Sequence, residues 1–370
     1  MVARRFVHAM LACGVVLGLF AGRVPAVAQD ARVQSRVQSQ SLLLWNQGDD
    51  EPSLFGDVFG EIDLQSTRDR AVQGRLTVQL RPVSAGLEGS GTPTIVTSVP
   101  RASVRFRLPV TEGYTMRLTS GIDRVAWGAG RVFNAADVIF GSAAGDGADF
   151  LAVNGDVRDE TALLTALYLP LGGFAYVEPV VLPPLPQVDA ATGALALPPA
   201  SETRAGARVN FELGRFTFEP GYLYTPDAHE AVFSASGLIG IDVYGAARLR
   251  LPDAESQYSA GAYHRFRLGR DTSLDLRLEA LFRPDESEWV LLYPEAVLSP
   301  GRTVSVIARS LVSPVEGSAD SVLAVNWAVL GGLDLLAAGV FAHGGSGEGL
   351  INGDGGAAGL GAILGLEYRF

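Results

Sequence analysis

The chain has 370 residues, 29 basic against 40 acidic, with one cysteine and no lysine, so every basic residue is an arginine. Hydrophobic residues make up 48% of it, yet beyond the first thirty residues no apolar run reaches the eighteen or so that a spanning helix needs, which excludes a helical membrane protein. The ordinary hydrophobic fraction excludes a disordered chain, and the acidic balance excludes nucleic acid as a partner, since phosphate binding needs a net basic footprint.

From the N-terminus, Arg4 and Arg5 form a positive region, Met10 to Gly22 an apolar core, and Ala26-Val27-Ala28 a small-x-small cleavage site. This is the anatomy of an export signal over residues 1–28. A lipobox at Met10-Leu11-Ala12-Cys13 is the rival reading, but the stretch before Cys13 is short, contains His8, and would leave Val15 to Phe20 on the mature protein. Ordinary cleavage removes Arg4, Arg5, Arg23 and Cys13 and no acid, leaving a more acidic, thiol-free chain suited to an oxidising envelope compartment.

After the signal the period is two. Val72, Gly74, Leu76, Val78 and Leu80 alternate with Gln73, Arg75, Thr77, Gln79 and Arg81; Ala102, Val104, Phe106 and Leu108 alternate with Arg101, Ser103, Arg105 and Arg107. The same alternation runs through Tyr114 to Thr119, through Leu274 to Arg283, and through Gly359 to Phe370. Each such segment is a β-strand between two different solvents. Eighteen segments are predicted: 35–46, 57–66, 71–82, 101–109, 114–124, 160–170, 174–183, 203–213, 215–225, 230–240, 243–251, 257–268, 273–283, 288–298, 302–312, 320–330, 333–342 and 359–370. Sixteen strands would also satisfy the pattern. The exceptions are residues 160–183, apolar on both faces in places, Ser39 and Ser41 on the expected outer face, and His264 on the lipid parity, any of which a bulge would repair.

A soluble sandwich alternates too; the connections separate the two cases. Counting back from Phe370, every second connection is tight, as at Gly331-Gly332, Gly214 and Leu171-Gly172-Gly173, whereas 47–56, 83–100, 125–159, 184–202 and 343–358 are all in the other set. Short turns at one end and long loops at the other predict an all-β transmembrane antiparallel barrel with periplasmic turns, extracellular loops and both termini at the turn end. The domain plan is a signal at 1–28, a short periplasmic segment at 29–34 and the barrel at 35–370.

A barrel of this size encloses a water-filled lumen, so its inner face must be polar. On the early strands Arg75, Arg81, Arg101, Arg105, Arg107 and Arg117 share that parity; further round come Arg204, Arg208, Arg248, Arg250, Arg265, Arg267, Arg277 and Arg309 with Glu178, Glu219, Asp275, Glu279 and Glu295. The loop after Trp127 holds Asp137, Asp146, Asp149, Asp156 and Asp159. Folded inward against the early arginines, it would make a constriction with a transverse field, in which Asp137, Asp146 and Asp149 face the arginine wall. Folded outward, its acids would merely be solvated.

The C-terminal Gly-Leu-Glu-Tyr-Arg-Phe, alternating back from Tyr368 and Phe370, resembles the terminal strand by which Gram-negative outer-membrane proteins are handled by their assembly machinery. Gly121-Ile122-Asp123-Arg124-Val125-Ala126-Trp127-Gly128-Ala129-Gly130-Arg131-Val132-Phe133-Asn134-Ala135-Ala136-Asp137 resembles the strand-to-loop element "G-R-Q-x-I-x-W-G-x-G-R-x-x-N-P-x-D" of uncharacterised porin-like barrels, with Asp123 and Arg124 where Arg and Gln are usual and Ala135 where Pro is usual. The family-like corner is thus Trp127, Gly128, Gly130, Arg131, Asn134 and Asp137, under twenty residues that imply an architecture and no activity. As a bare tight corner it needs no ligand: Trp127 suits an interfacial belt and the glycines a sharp exit from the strand.

No catalytic site is predicted. After signal removal only His229, His264 and His343 remain, none beside an evident partner, and there is no Gly-x-Ser-x-Gly elbow, His-Glu-x-x-His or cysteine set. Gly145 to Asp149 and Asn352 to Gly355 are flexible Gly/Asp loops without the spacing of a calcium site, so no metal or cofactor is implied. The sequence predicts an outer-membrane channel for passive diffusion of small polar or anionic solutes, with membrane lipid and the barrel-assembly machinery as partners. A surface protein with a closed lumen is the alternative.

Overall fold

Strands that are greasy on one face and charged on the other have one way to leave no unpaired edge, which is to close on themselves. The computed structural model describes residues 31–46, 53–66, 71–83, 94–111, 113–143, 158, 160–185, 187–188, 195–196, 198–285, 290–344 and 359–369. The strands are β1 (Ala31–Asn46), β2 (Ser53–Ser66), β3 (Val72–Val83), β4 (Thr94–Thr111), β5 (Tyr114–Asp123), β6 (Ala162–Pro170), β7 (Ala175–Leu182), β8 (Gln187–Val188), β9 (Leu195–Ala196), β10 (Arg204–Leu213), β11 (Phe216–Tyr224), β12 (His229–Leu238), β13 (Asp242–Leu251), β14 (Glu255–Arg267), β15 (Ser273–Phe282), β16 (Val290–Ser299), β17 (Val304–Ser313), β18 (Ser318–Leu330), β19 (Leu333–His343) and β20 (Gly359–Arg369). All but β8 and β9 belong to one 18-stranded sheet in which each strand pairs antiparallel with its neighbours in sequence, β7 with β10, and β20 returns to β1 from Arg36↔Arg369 to Asn46↔Gly359. β8 and β9 form a small hairpin within the connection from β7 to β10.

The eighteen barrel strands are those expected, with three starts four or more residues earlier than expected: β1 begins at Ala31, four residues before 35, β2 at Ser53, four before 57, and β4 at Thr94, seven before 101. In β4 the ladder to β3 is interrupted between Thr77 and Gln79, and this register shift hides the continuation from a strict period of two. No register shift accompanies His264, which stays on the outer face with its ring 4.4 Å from that of Phe266. The export signal and Phe370 lie outside the described residues.

Register fixes which side chains point inward. Glu279, opposite Gly261 and Tyr293, shares its face with Arg277, Glu295, Arg309 and Val322 across successive strands. Followed round the sheet, the same face carries Arg36, Asp63, Arg75, Arg105 and Arg117. The opposite face bears exposed Val104, Phe106, Phe233, Tyr258, Phe266, Leu278, Leu323, Val325, Trp327 and Leu364. The inside carries the charged side chains and the outside is apolar.

Candidate functional site

Both clusters of buried apolar side chains include residues of the connection from β5 to β6. In one, Val132 and Phe133 join Leu281, Leu291, Tyr293, Ile307, Val322, Ala324, Leu336, Val340 and Ile363, all from inward positions of β15 to β20. In the other, Trp127, Ala135, Ala136, Val138 and Ile139 join Leu164, Val180, Leu182, Leu223 and Val232 from β6, β7, β11 and β12. Residues 124–143 therefore lie inside the barrel. The two-faced apolar character of 160–183 has its cause here: the inward Leu164, Ala166, Val180 and Leu182 meet this loop and not water.

The resemblance element is the folded heart of the loop. Gly128 has φ +73° and Gly130 φ +143°, both in the left-handed region that suits glycine. A Cβ on Gly128 would fall 2.6 Å from Asn134 Oδ1, and one on Gly130 2.1 Å from the Phe133 carbonyl oxygen. Asn134 closes the turn: its Nδ2 donates to the Trp127 carbonyl at 2.7 Å and its Oδ1 accepts from Ala136 N at 3.2 Å. Trp127 is fully buried, and a Cβ on the inward Gly206 or Gly221 would come within 3.0 or 3.4 Å of its ring. The indole packs against a patch of wall stripped of side chains; it is not in an interfacial belt.

Carboxylates hold the loop to the wall. Glu279, 0% exposed, accepts the consecutive backbone N–H groups of Arg131, Val132 and Phe133 at 2.9, 2.8 and 2.8 Å. Three such donors form a concavity for an anion, and the barrel supplies the anion itself. The Tyr244 hydroxyl and the Arg277 guanidinium also donate to Glu279, so a buried charge is fully hydrogen-bonded. Arg131 pairs with Glu295 at 2.6 Å, Gly128 N donates to Glu219, and Ala135 N donates to Ser259 Oγ at 2.9 Å. Arg208 joins the system from the other side, donating to Glu178, to Glu219 and to the Ala126 carbonyl. Nothing in the local sequence of Glu279 marks this role: it follows Asp275 and Arg277 on the same inward face and differs from them only in having the apolar Leu281 and Tyr293 beside it.

Asp137 is inside the loop, 1% exposed, and pairs with Arg158 at 3.3 Å while accepting from Phe140 N. Burial pushes its carboxyl up to about 6 against the opposing pull of Arg158. It faces no open space, and its carboxylate acts on Arg124 only through its field. Asp146 and Asp149 lie outside the described residues.

The early arginines are placed together. Arg75, Arg105 and Arg107 line a cavity of about 320 Å³ with Asp123 and Gln73; Arg105, Arg117 and Arg124 line a second, of about 160 Å³, with Tyr168 and Ala126 at the edge of the loop. Arg101 follows on the same face of β4, opposite Thr77, and Arg81 on that of β3, its side chain outside the described residues. Arg75 is paired with Asp63 at 2.9 Å. Tyr368 lies on the outer face of β20, opposite Val37. His229 hydrogen-bonds Tyr222, also outside. Among the described residues no three potential ligands converge as a metal site would require.

No family model and no curated protein sequence matches the chain. Among solved structures, Acinetobacter baumannii OccAB4 is similar over 92% of this chain and 99% of its own, at 8% identity and a TM-score of 0.54. Pseudomonas aeruginosa OccK7 (OpdD) is similar over 92% and 99%, at 10% identity and a TM-score of 0.53. Pseudomonas putida OprB is similar over 92% and 94%, at 9% identity and a TM-score of 0.49. At such identities OccAB4 and OccK7 share the fold with this chain: a closed antiparallel barrel, here of eighteen strands and narrowed by its own connection.

Proposed function

We propose that the protein is an outer-membrane channel of a Gram-negative-type bacterium, exported by a cleaved signal at 1–28, through which small polar or anionic solutes diffuse passively along an arginine-lined lumen. An apolar outer face with a charged inner one suits a barrel whose solvents are lipid and water. The likeness to OccAB4 and OccK7 supports the architecture. The observation that carries the solute path is the asymmetry of the filling. The loop packs against inward residues of β6 to β20 and leaves the cavities beside β3, β4 and β5, where Arg75, Arg105, Arg107 and Arg117 stand. Solutes pass between the loop and that wall, which favours anions. The pore is non-enzymatic, and the terminal strand ending Tyr368-Arg369-Phe370 is the part the assembly machinery takes up.

Planar-bilayer recording of the purified protein tests this. Stepwise conductance with chloride preferred over potassium is expected, and deletion of 140–155 enlarges it; absence of conductance refutes the channel. The apolar seating of Val132 and Phe133 favours the second reading, a sealed surface protein. Vesicles that swell in small sugars contradict a seal, and vesicles that do not swell support it.

A further inference from the structure

We propose that the smaller cavity, where the loop meets β4 to β7, is a discrete oxyanion site, taking the carboxylate or phosphate group of a passing solute. The proposal deepens the solute-path reading and rests on it for access to the cavity.

Most inward charges of the described barrel are neutralised in place: Arg75 by Asp63, Arg248 by Glu230, Arg265 by Asp275 and Arg277 by Glu279. The small cavity departs from that rule. Among the described residues no carboxylate comes within 4.0 Å of the guanidinium of Arg105, Arg117 or Arg124. Arg105 donates to the Thr119 hydroxyl at 3.2 Å, and Arg117 lies 4.0 Å from the centre of the Tyr168 ring. The acid in the cavity wall, Glu178, is taken by Arg208 at 2.6 Å. Asp137, itself paired with Arg158, reaches Arg124 through its field alone.

Two features mark this as a place prepared for an anion. Arg105, Arg117 and Arg124 converge on one small volume, like charges gathered with no carboxylate paired to them among the described residues. The Nε of Arg124 is buried with no hydrogen-bond partner among the described residues, a cost in a folded protein unless a ligand or water supplies the acceptor. A volume of about 160 Å³ admits a compact oxyanion, and guanidinium groups with a hydroxyl offer the forked donors that carboxylate and phosphate accept.

The test is isothermal titration of the whole barrel in detergent micelles with inorganic phosphate and, separately, with succinate, over a chloride background. Saturable one-to-one binding of one or both is expected, with a dissociation constant of about 1 mM or tighter, weakened about tenfold in Arg105→Gln and in Arg117→Gln. Phosphate above succinate assigns a tetrahedral guest, the reverse a planar one. Arg105→Gln is further expected to melt higher than the wild type without ligand, because it relieves repulsion, and to lose the upward shift that the anion gives; a merely structural arginine would melt lower. Arg302→Gln, at an exposed turn, is the control and binds as the wild type does. Two results overturn the site: neither anion saturates the wild type, or both variants bind as it does. On the wild type alone, affinity indifferent to about tenfold more chloride also overturns it. Saturable binding without bilayer conductance refutes the path and keeps the site; conductance without saturable binding refutes the site and keeps the path.

Discussion

The lumen has two walls that solve opposite problems. From β6 round to β20 the inward face carries apolar side chains, carboxylates that hold the loop and arginines paired with acids; from β3 to β5 it carries arginines, of which Arg105 and Arg117 have no carboxylate within 4.0 Å among the described residues. One wall is packed like an interior, and the buried Glu279 at its centre is fully hydrogen-bonded. The other is a surface that happens to be concave, where unspent charge is tolerated because water or a solute completes it. The loop belongs to the first wall and defines the second by leaving it open.

Severing the loop from the packed wall has the largest expected effect. Glu279→Ala strands the N–H groups of Arg131, Val132 and Phe133 in a dry site, at a cost of about 3–5 kcal/mol to the packed loop. The barrel persists, because its ladder does not depend on the loop. The expected outcome is larger and noisier single-channel conductance, with protease cutting within 124–143 where the wild type resists. Conductance and cutting unchanged from wild type would mean that the loop is held by its apolar contacts alone.

A smaller effect on the same wall is expected of Gly130→Ala. The added methyl would sit 2.1 Å from the Phe133 carbonyl oxygen in a backbone conformation foreign to alanine, and strain of about 1–3 kcal/mol follows. Because Gly130 touches no arginine of the open wall, its variant is expected to loosen the pore while leaving anion preference intact. Arg105→Gln gives the mirror result: reversal potentials in a salt gradient move toward cation preference while the loop stays protected from protease. If both variants changed selectivity equally, the division into two walls would be wrong.

The sequence made one wall legible and concealed the other. Alternation placed Arg75, Arg101, Arg105, Arg107 and Arg117 on one face, because a strand between water and lipid writes its two solvents into a period of two. The packed wall breaks that code: where Leu164, Val180 and Leu182 face a loop and not water, both faces read as apolar, and the segment looked weak. That weakness was the landing site of the loop, read without its partner. The corner from Trp127 to Asp137 was visible as a motif, but its purpose depends on Glu219, Ser259 and Glu279, at sequence separations of 91, 124 and about 147 residues. No local pattern spans such distances. Asp137 was visible as an acid, and nothing nearby said that it would be buried with Arg158.

The smallest expected effect concerns pH, and its sign follows from Asp137. The packed loop holds its carboxyl at about 6, above the ordinary value of 3.8 that it takes when the loop is free, with burial outweighing the attraction of Arg158 and Arg124 and Glu160 adding to the rise. Between those values the packed state binds more proton than the released one, so packing strengthens as pH falls through 6 and is weakest above it. Acidification from about pH 7 to about pH 5 is therefore expected to quiet the gating fluctuations of the open pore, and Asp137→Asn, neutral at both, is expected to be quiet throughout. Noise that rises on acidification in the wild type would mean that the ion pair with Arg158 outweighs the burial of the charge, so that this part of the packed wall is held by electrostatics, as the open wall is.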